Sequence, residues 1–160
     1  MLENSPTSNI VAISLVAISI GLLIYFAWKT LITSNLFQKG VNLFQAKDYE
    51  GAEAAFRKVI AINSTNDVVR LLLGDILNYQ GKIEEAKELF SAVISRSPKN
   101  ADAYLRLANI LLLQKNPEEA IKNLQTSKAL FQKQRQPQKA ATIDKILKEI
   151  GNREQGTGNR

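Results

Sequence analysis

Two carboxylate pairs, Glu84–Glu85 and Glu118–Glu119, come closest to catalytic chemistry in this 160-residue chain. Paired carboxylates work as acid and base when their surroundings drive their proton affinities apart. Here each pair opens a predicted helix, where negative charge complements the helix dipole and water reaches both groups. The reading is therefore solvated helix starts. There is no cysteine and no histidine, which removes a thiol nucleophile, a histidine base, a zinc cluster and a structural disulfide. The glycines are isolated or lie in the tail, so no loop cradles a phosphate. The expectation is a protein that is not an enzyme, with no catalytic residue, cofactor, metal or small-molecule substrate.

Recognition, not reaction, is what the remaining pattern serves. Residues recur at a spacing of 34: Gly40, Gly74 and Ala108; Ala52, Ala86 and Ala120; Phe56, Phe90 and Leu124; Leu43, Leu77 and Leu111. No insertion or deletion is needed to hold this register. Each unit reads as a helix, a short turn and a second helix. The small columns mark where the two helices cross, since an interior glycine costs about 1 kcal/mol relative to alanine and needs a packing reason. Phe56 and Phe90 are expected to fill the space between neighbouring units. One unit cannot bury its apolar face alone, whereas three stacked units can.

On these columns, together with the turns "AKDYEGA", "QGKIEEA" and "QKNPEEA" and with Pro98 ending the second unit, the chain resembles the tetratricopeptide repeat (TPR) family over residues 33–134. Ser64 and Gln132 stand where the family usually has the terminal proline, and Leu124 and Ser127 make a weaker last helix. The resemblance implies three units, 33–66, 67–100 and 101–134, and a concave groove lined by the first helix of each.

The N-terminus differs in kind. Residues 1–9 form a short polar start, and the run "IVAISLVAISIGLLIYFAW" from Ile10 to Trp28 carries no charge. As a helix it spans roughly 28 Å, close to the roughly 30 Å hydrocarbon layer of a bilayer. Tyr25 and Trp28 lie at one end, where an interfacial aromatic belt belongs. A secretory signal peptide needs a positive start and a shorter apolar run. The reading is a single-pass transmembrane helix with its juxtamembrane segment, 10–32. All 21 Lys and Arg residues lie at or after Lys29, so the positive-inside rule places the repeats in the cytoplasm or stroma and the N-terminus outside or in the lumen. Either Thr33, Ser34 or Asn35 caps the first repeat helix, or span and helix run together. After the repeats, 135–150 places Ala140, Ile143, Ile146, Leu147 and Ile150 on one face, as a capping helix requires. Residues 151–160, polar and glycine-rich, are expected to be disordered.

The resemblance implies a groove carrying Phe37, Val41, Phe44, Leu71, Asp75, Asn78, Tyr79, Leu105, Arg106, Asn109 and Leu112. Co-chaperone members of the family hold a chaperone's C-terminal carboxylate in a clamp of five positions. This chain keeps Arg106 there and has Phe37, Val41, Leu72 and Asp102 at the others, which disfavours that role. The net charge is +6. Between Lys122 and Lys139 lie Lys122, Lys128, Lys133, Arg135 and Lys139 with no acid, a solvated face or a contact for anionic lipid or an acidic partner. No aromatic interleaving accompanies them, against nucleic acid.

The predicted architecture is all-α: an N-terminal transmembrane helix, a three-repeat TPR solenoid and a capping helix. In plan and size it resembles the small membrane-anchored TPR proteins of cyanobacteria and plastids that help photosystem I assemble or stay stable. That resemblance implies a protein-binding scaffold in the thylakoid membrane, with photosystem I subunits or assembly intermediates as partners. The alternatives are a membrane-tethered scaffold for another complex and a protein-import receptor that captures targeting helices.

Overall fold

The computed structural model describes residues 6–157, and all the regular structure among them is helical. The seven helices are α1 (Pro6–Gln45), α2 (Tyr49–Ile62), α3 (Asp67–Tyr79), α4 (Ile83–Arg96), α5 (Ala101–Leu113), α6 (Pro117–Lys133) and α7 (Pro137–Thr157). Helices α2, α4 and α6 begin 34 residues apart, as do α3 and α5, so the sequence period is the structural one. Consecutive helices pack against one another from α1 through α7, and α3 also meets α5. The result is a stack of helix pairs with one continuous core.

Helix α1 settles how the span joins the repeats: it runs unbroken for 40 residues, about 60 Å. None of the three candidate caps acts as one. Thr33 instead donates its hydroxyl to the Lys29 carbonyl, as Thr30 does to Phe26, the pattern of residues inside a helix. Its apolar part from Ile10 to Trp28 is exposed along its length, and its last turn approaches the end of α2. By length and composition α1 is able to cross a membrane. It starts at Pro6, inside the segment read as a polar start, because proline is pre-organised for a first helical turn. Residues 1–5 lie outside the described residues.

The glycine columns have a more local cause than helix crossing alone. A Cβ on Gly40 would stand 2.8 Å from Cε1 of Phe56, and one on Gly74 would stand 2.3 Å from Cε1 of Phe90. Each phenyl ring thus lies on the glycine of its own unit's first helix, where the sequence reading had placed it between units. In the third unit Ala108 brings a methyl and Leu124 replaces the ring; both are fully buried. Ala52, Ala86 and Ala120 are fully buried as well.

Turns repeat with the same discipline. At Lys47, Gly81 and Lys115 the backbone is left-handed, with φ of 62°, 76° and 58°. Each ends a first helix in a Schellman motif: Asp48, Lys82 and Asn116 donate their N–H to the carbonyls of Leu43, Leu77 and Leu111. Arg135, φ 57°, closes α6 in the same way. Asn66 and Asn100 cap α3 and α5, accepting from the N–H groups of Val69 and Ala103.

Helix α7 buries Ala140 and Ile143 against the stack, with Ile146, Leu147 and Ile150 packed beside them. It does not stop at Gly151 but continues to Thr157, into the segment expected to be disordered. One glycine costs a helix only about 1 kcal/mol, and Arg153, Glu154 and Gln155 are good helix formers. Residues 158–160 lie outside the described residues. The weaker last helix is repaired by a hydrogen bond: Ser127, fully buried, donates to the Ala101 carbonyl at 2.8 Å.

Candidate functional site

The first helices α1, α3 and α5 bring together most of the residues expected in the groove, but they divide them by role. Leu71 is 7% exposed and belongs to the core, not the groove surface, because its side chain packs inward between helices. Phe37, Val41, Phe44, Leu105 and Leu112 are half-buried and packed against that core. Phe37 leans on Phe56, ring centroids 5.8 Å apart. Asn78 is half-buried, whereas Asn109 and Tyr79 face solvent. Tyr79, 64% exposed, stacks on Tyr49 at 5.4 Å and touches Phe44 at 5.8 Å. Two further apolar side chains stand out in the open, Val68 at 60% and Leu113 at 62%. The sequence reading missed both. Leu113 was findable, since it lies one 34-residue period after Tyr79.

Between these apolar ends lies an ionic centre. The Arg106 Nε donates to both carboxylate oxygens of Asp75 at 2.9 Å. Its Nη1 lies 3.7 Å from Asp102 Oδ1, and Lys139 Nζ reaches the same oxygen at 3.4 Å. One chain of charge therefore ties α3, α5 and α7 together. Burial pushes the Asp75 carboxyl above its ordinary range, and the Arg106 guanidinium offsets only part of that. The folded state thus holds the Asp75 proton more tightly than the unfolded chain. Its contribution to stability is largest below the ordinary carboxylate value of 3.8 and is lost as pH rises through the folded value. Arg106, the one retained clamp position, is occupied by this internal pair.

The second helices α2 and α4, with the turn before α4, carry a second network. Glu53 accepts from Arg57 at 2.7 Å and from Lys82 at 2.9 Å, and Arg57 also reaches Glu85 at 2.8 Å. Burial alone would raise the Glu53 value, but hydrogen bonds from Lys82, Arg57 and Gln80 bring it down to about 2. This contribution is present above the ordinary value of 4.5 and fades as pH falls towards 2. Glu84 accepts from Gln114 at 2.6 Å. Both members of the first carboxylate pair thus join unit to unit.

The five cations of the third unit and cap do not form one free face. Lys128 Nζ lies 2.6 Å from Asp144, and Lys139 pairs with Asp102 while sitting 4.8 Å over the Phe131 ring. The acids come from α7 and α5, so the acid-free stretch of sequence gains acids only on folding. Lys122, Lys133 and Arg135 have no side-chain partner among the described residues.

A family model for the tetratricopeptide repeat matches residues 43–88 and again 77–142. The chain belongs to the tetratricopeptide repeat family. TPR proteins are protein-interaction scaffolds, and the helix-pair stack is their fold. Several solved structures share it. The Yersinia enterocolitica type III secretion translocator chaperone SycD is 19% identical, covers 76% of this chain and 93% of its own, and superposes with a TM-score of 0.71. PcrH, from Pseudomonas aeruginosa, in complex with the chaperone binding region of PopD, is 20% identical over 76% of this chain and 92% of its own, TM-score 0.70. The TPR2B domain of yeast Sti1, in complex with an Hsp70 peptide, is 17% identical over 77% and 98%, TM-score 0.71. No curated protein matches the chain.

Proposed function

We propose that this TPR protein is a single-pass membrane scaffold that holds a segment of a partner protein in its concave groove beside the bilayer. The observation that carries the reading is α1, in which one unbroken helix is both the apolar span and the first groove-lining helix. Bending such a helix requires breaking its hydrogen-bond ladder, so the groove is held at a fixed height and angle. The charge asymmetry about the span puts the repeats on the cytoplasmic or stromal side, with the N-terminus outside or in the lumen. Similar folds are solved with peptides of their partners, PcrH with PopD and Sti1 with Hsp70. That supports a protein segment as the ligand. The exposed Tyr79 and Leu113, on the same first helices as the Asp75–Arg106 pair, favour one with apolar side chains beside a polar stretch.

The narrower form of the proposal is a thylakoid protein that assists photosystem I assembly or stability. It rests on likeness of plan and size. The generic scaffold for another membrane complex, and the import receptor, remain its competitors. The test replaces Tyr79 with Arg and Asn109 with Asp. Both side chains face solvent, so stability should shift by less than about 0.5 kcal/mol each. The double variant should stay folded and in the membrane but recover no photosystem I subunits from detergent-solubilised membranes. Undiminished recovery would remove the groove as the binding surface. A normal ratio of photosystem I to photosystem II in a deletion strain would remove the photosystem reading and leave the scaffold.

A further inference from the structure

We infer that the rim formed by the turns between units lies on the bilayer and binds anionic lipid headgroups through Lys29, Lys99, Lys133 and Arg135. The inference rests on the membrane-anchor reading above. Three successive turns, 63–66, 97–100 and 134–136, join second helices to first ones, and each is in contact with the next. Arg96 donates to the Ser64 carbonyl and pairs with Asp67. Gln134 donates to the Lys99 carbonyl at 2.9 Å. The first of these turns meets α1 where the uncharged span ends. Asn63, Asn66 and Val68 face Phe26, Lys29, Thr33 and Ser34 across a cleft of about 550 Å³. The rim is therefore continuous with the membrane exit of the span.

Charge differs between the two ends of the units. In the turns and first helical turns at the other end, the six acids Asp48, Glu50, Glu84, Glu85, Glu118 and Glu119 outnumber Lys47, Lys82 and Lys115. At the rim, Asp67 is neutralised by Arg96, and Asp102 by Arg106 and Lys139. Lys29, Lys99, Lys133 and Arg135 have no side-chain partner among the described residues. In the cleft the amides add donors. The Asn66 Oδ1 is held by the Val69 N–H and the Asn63 Oδ1 by Thr65, which leaves both NH₂ groups to donate beside Lys29. A surface of cations and donors level with the bilayer edge complements a layer of phosphates.

The chain has no cysteine, so a single Gln132→Cys gives one labelling site, exposed at the end of α6. The full-length protein, dye-labelled there, is placed in phosphatidylcholine vesicles carrying a headgroup quencher, with or without phosphatidylglycerol. Phosphatidylglycerol should raise quenching ~2-fold or more, and the excess should be lost at ~0.5 M salt. K29Q/K99Q/K133Q/R135Q should lose that excess, while K47Q/K115Q, at the far end, should keep it. Equal quenching in both lipids, or an excess that survives the rim substitutions, would overturn the proposal. If inorganic phosphate at constant ionic strength abolishes the phosphatidylglycerol excess, the site is one for a free anion and the lipid assignment fails. A chain that carbonate strips from the vesicles overturns the anchor reading, whereas one that stays but ignores phosphatidylglycerol overturns this inference alone.

Discussion

A methyl group on Gly74 would stand 2.3 Å from Cε1 of Phe90, well inside van der Waals contact, and the ring is 1% exposed with little room to retreat. Gly74→Ala should therefore destabilise the protein by about 1–3 kcal/mol through overpacking, despite alanine's better helix propensity. Phe90→Leu leaves a gap and should also cost stability. The pair together should cost much less than the sum, because it reproduces the Ala108–Leu124 combination that the third unit already uses. A double-mutant cycle by thermal or urea denaturation reads the coupling directly. Additive losses would mean that ring and glycine do not share one space.

Helix ends repeat as faithfully as helix faces, and they are less well optimised. The left-handed position that ends the first helix of each unit is Gly81 in the second but Lys47 and Lys115 in the others. An L-residue is strained there by its Cβ and glycine is not. Lys115→Gly should raise stability by up to about 1 kcal/mol, and Gly81→Ala should lower it by a similar amount. Neither change removes a side-chain contact: a Cβ at Gly81 meets nothing, and the Lys115 side chain has no partner among the described residues. Opposite shifts in the denaturation midpoint would establish backbone conformation as the cause, whereas shifts of the same sign would refute it.

For the molecule as a whole, the unbroken α1 joins the apolar segment to the first repeat helix without a break, so on the proposed reading anchor and groove share one helix. A short Gly-Ser insertion after Ile32 would leave the span and the repeat core intact while replacing a helix with a flexible linker. Membrane retention and the melting of the repeats should not change. Recovery of the partner from membranes should fall by roughly tenfold or more, because the groove no longer samples a fixed height and orientation. Full recovery with the insertion in place would show that tethering alone suffices. The insertion also frees the rim from the exit of the span, so its effect on lipid contact should parallel its effect on partner binding.

Repeat number, register and fold class were all legible in the chain, because the units reuse short-range solutions: a small residue facing Phe56, Phe90 or Leu124, a turn after each first helix, and a second helix opening 34 residues after the last. Such signals recur every 34 residues and need no knowledge of distant contacts. The uncharged run was equally plain, since an apolar composition and its length are read without any neighbour. What the chain left open was decided by which side chains meet across units. Leu71 and Tyr79 both come from the first helix of the second unit, yet one is core and the other exposed. Lys128 and Lys139 read as free cations until Asp144 and Asp102 are brought to them. Arg106 read as a groove residue, the one retained position of a clamp otherwise absent, until Asp75 is brought to it. The choice between a capped and a continuous first helix also waited on the fold: capping residues act as caps only where the ladder ends, and packing of the first unit on α1 keeps it going. Local sequence fixes backbone conformation because its energies come from adjacent residues; burial and ion pairing come from residues far apart in the chain, and only the stacked units supply those.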